Sequence, residues 1–132
     1  MYYSSKSAPN SPIPTACAEA GRVLAADLFQ FKHPDEWKYI IACDERSWDD
    51  IMGWEQHGEQ SRDTFGSTLR EAHTTLFRGE SLTGKGDTRF AHYEIVAHEL
   101  CHIDLHTGDE RRVRLQAEQW VTEYRRGNIA RR

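Results

Sequence analysis

Long apolar runs are absent from this 132-residue chain. No stretch approaches the roughly 20 residues that a bilayer-spanning helix needs, which argues against a helical membrane protein. Cysteine is scarce. Cys17, Cys43 and Cys101 are widely spaced and odd in number, a pattern that speaks against a disulfide framework and predicts reduced thiols buried as small hydrophobes. The opening residues, Met1-Tyr2-Tyr3-Ser4-Ser5-Lys6, lack the basic-then-apolar layout of a secretory signal, so the expected location is the cytoplasm. Proline is confined as well: Pro9, Pro12 and Pro14 fall in the opening segment and only Pro34 lies beyond it. Neither a repeat nor a low-complexity block is found.

With 38% hydrophobic and 29% charged residues, the composition is that of a soluble globular protein, and the length fits one domain with a single core. Charge is unevenly spread. The formal total is −4, yet residues 111–132 hold seven Arg against Glu118 and Glu123. A basic end of this kind suits either a solvated helix face and tail or a contact with nucleic acid through Arg125, Arg126, Arg131 and Arg132.

Residues 1–14 read as a flexible leader, 15–127 as the folded domain and 128–132 as a basic tail. Ala20, Val23, Leu24, Ala26, Leu28 and Phe31 recur at roughly helical spacing and predict a helix over 16–31, ended before Pro34. Residues 37–43, Trp-Lys-Tyr-Ile-Ile-Ala-Cys, predict a buried strand. A short helix is expected over 44–56, and extended segments near 64–69 and 73–78. The latter is either an edge strand able to pair with a peptide or an ordinary core strand. A central helix, apolar on several sides, is expected from about 87 to 107 with Gly108 stopping it. Val113, Ala117, Trp120, Val121 and Tyr124 then mark a last amphipathic helix. The four tryptophans, Trp37, Trp48, Trp54 and Trp120, read as core.

His98-Glu99-Leu100-Cys101-His102 is an HExxH sequence. On a helix the two histidines lie one turn apart, about 40° around the axis, so both imidazoles reach one tetrahedral metal at about 2.0 to 2.1 Å. Glu99 sits about 60° from His102 and faces the same side without being a ligand, as a general base requires. Two histidines and a glutamate in the middle of a buried helix are costly without such partners.

Through these residues, and through the run from Ile95 to His106 followed by Leu115 to Val121, the sequence resembles the zincin metallopeptidases. Within them it is most similar to the glutamate-third-ligand (gluzincin) branch typified by the ImmA/IrrE group. The resemblance covers about residues 70 to 125. It implies an α+β domain: an N-terminal helix, a small mixed sheet of three or four strands, a central metal helix and a C-terminal helix. It further implies Zn2+ as cofactor, a protein or peptide substrate, and a metal-activated water that attacks the peptide carbonyl with Glu99 as the base. The alternative is a zincin-shaped binding or regulatory protein with a structural or inactive site. For the third ligand Glu118 is favoured, because a short loop brings the early turns of the last helix back toward the histidines; Glu123, His106 and Asp109 are competitors. His106 is also placed to donate to an oxyanion or to favour the negative end of the helix. The metzincin continuation needs a His where Gly108 stands, which excludes that branch. Asp104 points away from the metal side, Cys101 is read as packing, and His92 and Tyr93 serve the cleft, a cap or the core.

Overall fold

Cys17, Ala20, Leu24, Leu28 and Phe31 recur at steps of three and four, and in the computed structural model they are the buried stripe of α1 (Thr15–Gln30) and the residue just past it. The structure describes residues 2–4, 15–56, 66–69, 71–84 and 90–127. Strand β1 (Tyr2–Ser4) precedes α1. After it come β2 (Lys38–Ala42), α2 (Glu45–Gln56), β3 (Gly66–Leu69), β4 (Thr74–Arg78), α3 (Gly79–Thr83), α4 (His92–Asp104) and α5 (Glu110–Arg125). The strands form one mixed sheet in the order β1-β2-β4-β3, parallel except for the antiparallel β3–β4 pair. The chain is thus α+β with a small mixed sheet, as the sequence leads one to expect.

Alternation along the strands divides the core between the two faces of the sheet. Tyr39, Ile41 and Phe77 face the larger cluster, which α1, α4 and α5 complete with Leu24, Val96, Leu100, Val113 and Trp120. Ala42 and Leu76 face the other way and bury Trp48 of α2. Phe31 stacks on Trp120 at 6.0 Å and Tyr93 on Tyr124 at 4.7 Å, joining α5 to the rest. His92 Nδ1 lies 2.6 Å from Oδ2 of buried Asp27, a polar tie between α4 and α1. Burial pushes the Asp27 carboxyl above its ordinary range, and His92 opposes that rise.

Several expectations are corrected. Residues 2–4 of the supposed leader pair with β2, Tyr2 opposite Ile40 and Tyr3 opposite Ile41, which satisfies an edge that β2 otherwise presents to solvent. Residues 5–14 lie outside the described residues, as do 57–65, 85–89 and the tail 128–132. Cys17 and Cys43 form a disulfide, so the expectation of reduced thiols holds only for Cys101, which is buried and free. The reason is spatial: α1 lies across the sheet and brings Cys17 to the end of β2, closing a sequence separation of 26 to a Cα–Cα distance of 5.1 Å. Of the two readings left open for 73–78, the ordinary core strand holds, since β4 runs between β2 and β3; the edges of the sheet are β1 and β3. Helix α3, which the sequence reading did not include, begins at Gly79, whose missing Cβ lets it lie against the Ala42 carbonyl.

The central helix also stops earlier than Gly108. Leu105 N donates to Cys101 O, His106 N donates to Ile103 O, and His106 itself adopts a φ of 50°. A histidine therefore makes the left-handed turn that glycine usually supplies. Asp109 then caps α5, its Oδ1 accepting from the backbone N–H groups of Arg111 and Arg112. The turn between the two helices is thus only five residues, 105–109.

Candidate metal and catalytic site

That short turn folds the first residue of α5 back onto the last two turns of α4. Glu110 Oε2 lies 2.9 Å from His98 Nε2, and Glu110 Oε1 lies 2.9 Å from His102 Nε2. The imidazole planes are inclined at 73° with centroids 5.1 Å apart. His102 Nδ1 donates to the Thr107 carbonyl at 2.9 Å. A carbonyl only accepts, so Nδ1 carries a proton, and Nε2 is the atom turned toward the Glu110 carboxylate. A lone pair and a carboxylate oxygen at that separation repel unless a proton or a cation lies between them. The donor set, two imidazole nitrogens and a carboxylate, is the kind that suits zinc.

Glu99 belongs to the same cluster: His98, Glu99 and His102 each offer a ligand atom within 4.8 Å of the others. Only 6% of Glu99 is exposed, and its carboxyl is pushed up from the ordinary range by burial, against the pull of His98, His102 and a hydrogen bond from Thr68. Thr68 Oγ1 donates to Glu99 Oε1 at 2.9 Å. Beside it, Gly66 of β3 lets the strand approach closely, since a Cβ there would stand 2.9 Å from Glu99 Cγ and 3.2 Å from the Leu76 carbonyl oxygen. Gly66→Ala is therefore expected to displace the Glu99 side chain. A loss of about 1–3 kcal/mol in unfolding free energy, measured by urea titration, is the expected size of such overpacking.

His98, Glu99 and Glu110 open onto a cleft of about 830 Å³ lined from α4 and α5, with Ile95, Ala117 and Val121 as apolar residues and Phe90 and Arg114 beside them. Glu118 lines this cleft but is exposed and stands outside the close cluster; the carboxylate on the two imidazoles is that of Glu110. Glu123 is half-buried and not among the cleft residues. Asp109 is occupied as a helix cap. His106 is exposed in its turn and does not line the cleft. Asp104 pairs with Lys32 at 3.1 Å, Cys101 is fully buried, and His92 and Tyr93 are engaged with Asp27 and Tyr124. Arg125 lies over Tyr93 and pairs with Glu94 at 2.9 Å, so one cation of the basic end is already committed within the fold. Arg131 and Arg132 lie outside the described residues, as does the side chain of Trp54.

Sequence reasoning missed Glu110. The signal was present in Thr107-Gly108-Asp109-Glu110: a capping Asp fixes the start of the following helix, and the residue after it is the one nearest the turn.

No family model, no curated protein and no solved structure matches the chain.

Proposed function

We propose that the chain is a zinc-dependent peptidase acting on a protein or peptide substrate, of the gluzincin type that the HExxH motif resembles. The observation that carries this reading is the convergence of His98 Nε2, His102 Nε2 and the Glu110 carboxylate beside buried Glu99. In it His98, His102 and Glu110 hold the ion, and Glu118 becomes a residue of the substrate cleft. Bound zinc supplies a Lewis acid that polarises the scissile carbonyl and lowers the pKa of water. Glu99 accepts a proton and returns it to the leaving amine; Thr68 occupies Oε1, which leaves Oε2 for that transfer. The strand β3 lies at the end of the sheet order, next to Glu99, and an extended peptide laid along it would meet the base through main-chain hydrogen bonds.

The same geometry on a zincin-shaped binding protein would hold a metal without turnover. Incubation with a denatured protein, read by mass spectrometry of new N-termini, separates the two. A peptidase gives cleavage that a chelator stops and zinc restores, and its absence at full zinc loading overturns the proposal. Glu110→Ala is expected to weaken zinc binding beyond the roughly 10–100-fold that loss of an outer partner costs, whereas Glu118→Ala leaves it near native. The reverse result would return the ligand role to Glu118.

Among the described residues no helix is long and apolar enough to cross a membrane. The Cys17–Cys43 bridge favours an oxidising compartment over the cytoplasm expected from the sequence.

A further inference from the structure

Three polar side chains on the sheet side of Glu99 form an unbroken chain of hydrogen bonds. Trp37 Nε1 donates to Thr75 Oγ1 at 2.9 Å, Thr75 Oγ1 lies 3.1 Å from Thr68 Oγ1, and Thr68 Oγ1 lies 2.9 Å from Glu99 Oε1. Its direction follows from chemistry. The Glu99 carboxylate, and the Glu99 carbonyl 3.3 Å away, only accept, so Thr68 spends its one proton on Glu99 and must accept from Thr75, whose oxygen in turn accepts from the indole N–H. Thr75 is fully buried, and Thr68 and Thr75 are directly opposite one another across the β3–β4 ladder, both on the face that meets α4. Trp37 is fixed from the other side by stacking on His73 at 5.1 Å.

From this geometry we infer that Trp37, Thr75 and Thr68 are positioning residues that hold Glu99 on the sheet side of the site as a base and keep it from closing onto the imidazoles as a further ligand. The geometry of the site requires such a restraint. Glu99 stands within 4.8 Å of ligand atoms of both His98 and His102, close enough for a small torsional change to bring its carboxylate onto the cation they share. The hydrogen bond to Oε1 opposes that movement, and a donor chain polarised from end to end does so more strongly than one hydroxyl alone. This function of the chain rests on the peptidase reading; the chain of bonds itself does not.

The test therefore has two arms. In the first, Thr68→Val and Thr68→Ser are compared in steady-state hydrolysis at saturating zinc. The valine variant is expected to lose about 10–100-fold in kcat with KM within about twofold and zinc affinity unchanged or raised, since a released carboxylate joins the ligands, and serine, which restores the hydroxyl, is expected to recover most of the loss. Equal losses in both variants, or no loss in valine, overturn the inference. The second arm reads the Trp37 indole proton by NMR in the zinc-loaded chain, assigned by its disappearance in Trp37→Phe. Thr68→Val is expected to move it upfield, because a shortened donor chain weakens its first bond; an unmoved resonance overturns the inference. If the wild type cleaves nothing, the peptidase reading and with it the positioning role fall, while the indole arm still reports whether the chain of bonds exists.

Discussion

Glu99→Gln is expected to lower peptide hydrolysis by about 10²–10⁴-fold, the usual contribution of a positioned general base, while zinc affinity stays near native. Gln is nearly isosteric and its amide oxygen still accepts from Thr68, so the contact that orients the side chain survives. What is lost is the capacity to take a proton. Stability should not fall, because burial is the main influence on Glu99 and disfavours its charged form. Kinetics with and without the substitution, alongside zinc affinity and thermal unfolding, check each part. Equal turnover in the two proteins would remove Glu99 from the mechanism.

Reduction of the Cys17–Cys43 bridge, or the Cys17→Ser/Cys43→Ser double variant, is expected to destabilise the fold by about 3.5 kcal/mol, from the loop entropy of a closed segment of this length. For a chain of this size that corresponds to a fall of about 10–15 °C in Tm. The bond ties the start of α1 to the end of β2, and α1 supplies Ala20, Leu24 and Leu28 to the core that seats α4. Loosening it therefore loosens the support of the metal helix. Cys101 is buried and unpaired, so an effect of mild reductant on Tm belongs to the other two thiols. An unchanged Tm would return Cys17 and Cys43 to free thiols and remove the argument for an oxidising compartment.

The helices and the central strands were legible because each carries its own periodicity. The stripe from Cys17 to Phe31, the aromatic and β-branched run at Tyr39-Ile40-Ile41 and the repeat at Val113, Ala117, Trp120 and Val121 state locally which face is buried. HExxH was legible for the same reason, since its geometry is that of one helical turn. What depended on the path of the chain was not. Tyr2-Tyr3-Ser4 is too short to announce a strand, and only the open edge of β2 makes it one. Cys17 and Cys43 meet because α1 crosses the sheet, which spacing does not reveal. The carboxylate nearest the imidazoles lies eight residues before Glu118, the one favoured from the sequence, because the central helix ends at Asp104 and does not run through Thr107. With His106 taking a left-handed turn and Asp109 capping the next helix, it is Glu110 that arrives at the imidazoles. The argument that a short loop favours the early turns of the last helix was sound and applied most strongly to its first residue.

The central claim is that two imidazoles and a carboxylate from adjacent helices share one cation. Titration of the purified chain with zinc against a competing chromophoric chelator tests it most directly. The account predicts one zinc per chain, with binding severely weakened in His98→Ala and in His102→Ala. Absence of zinc binding, or binding indifferent to both substitutions, would contradict it.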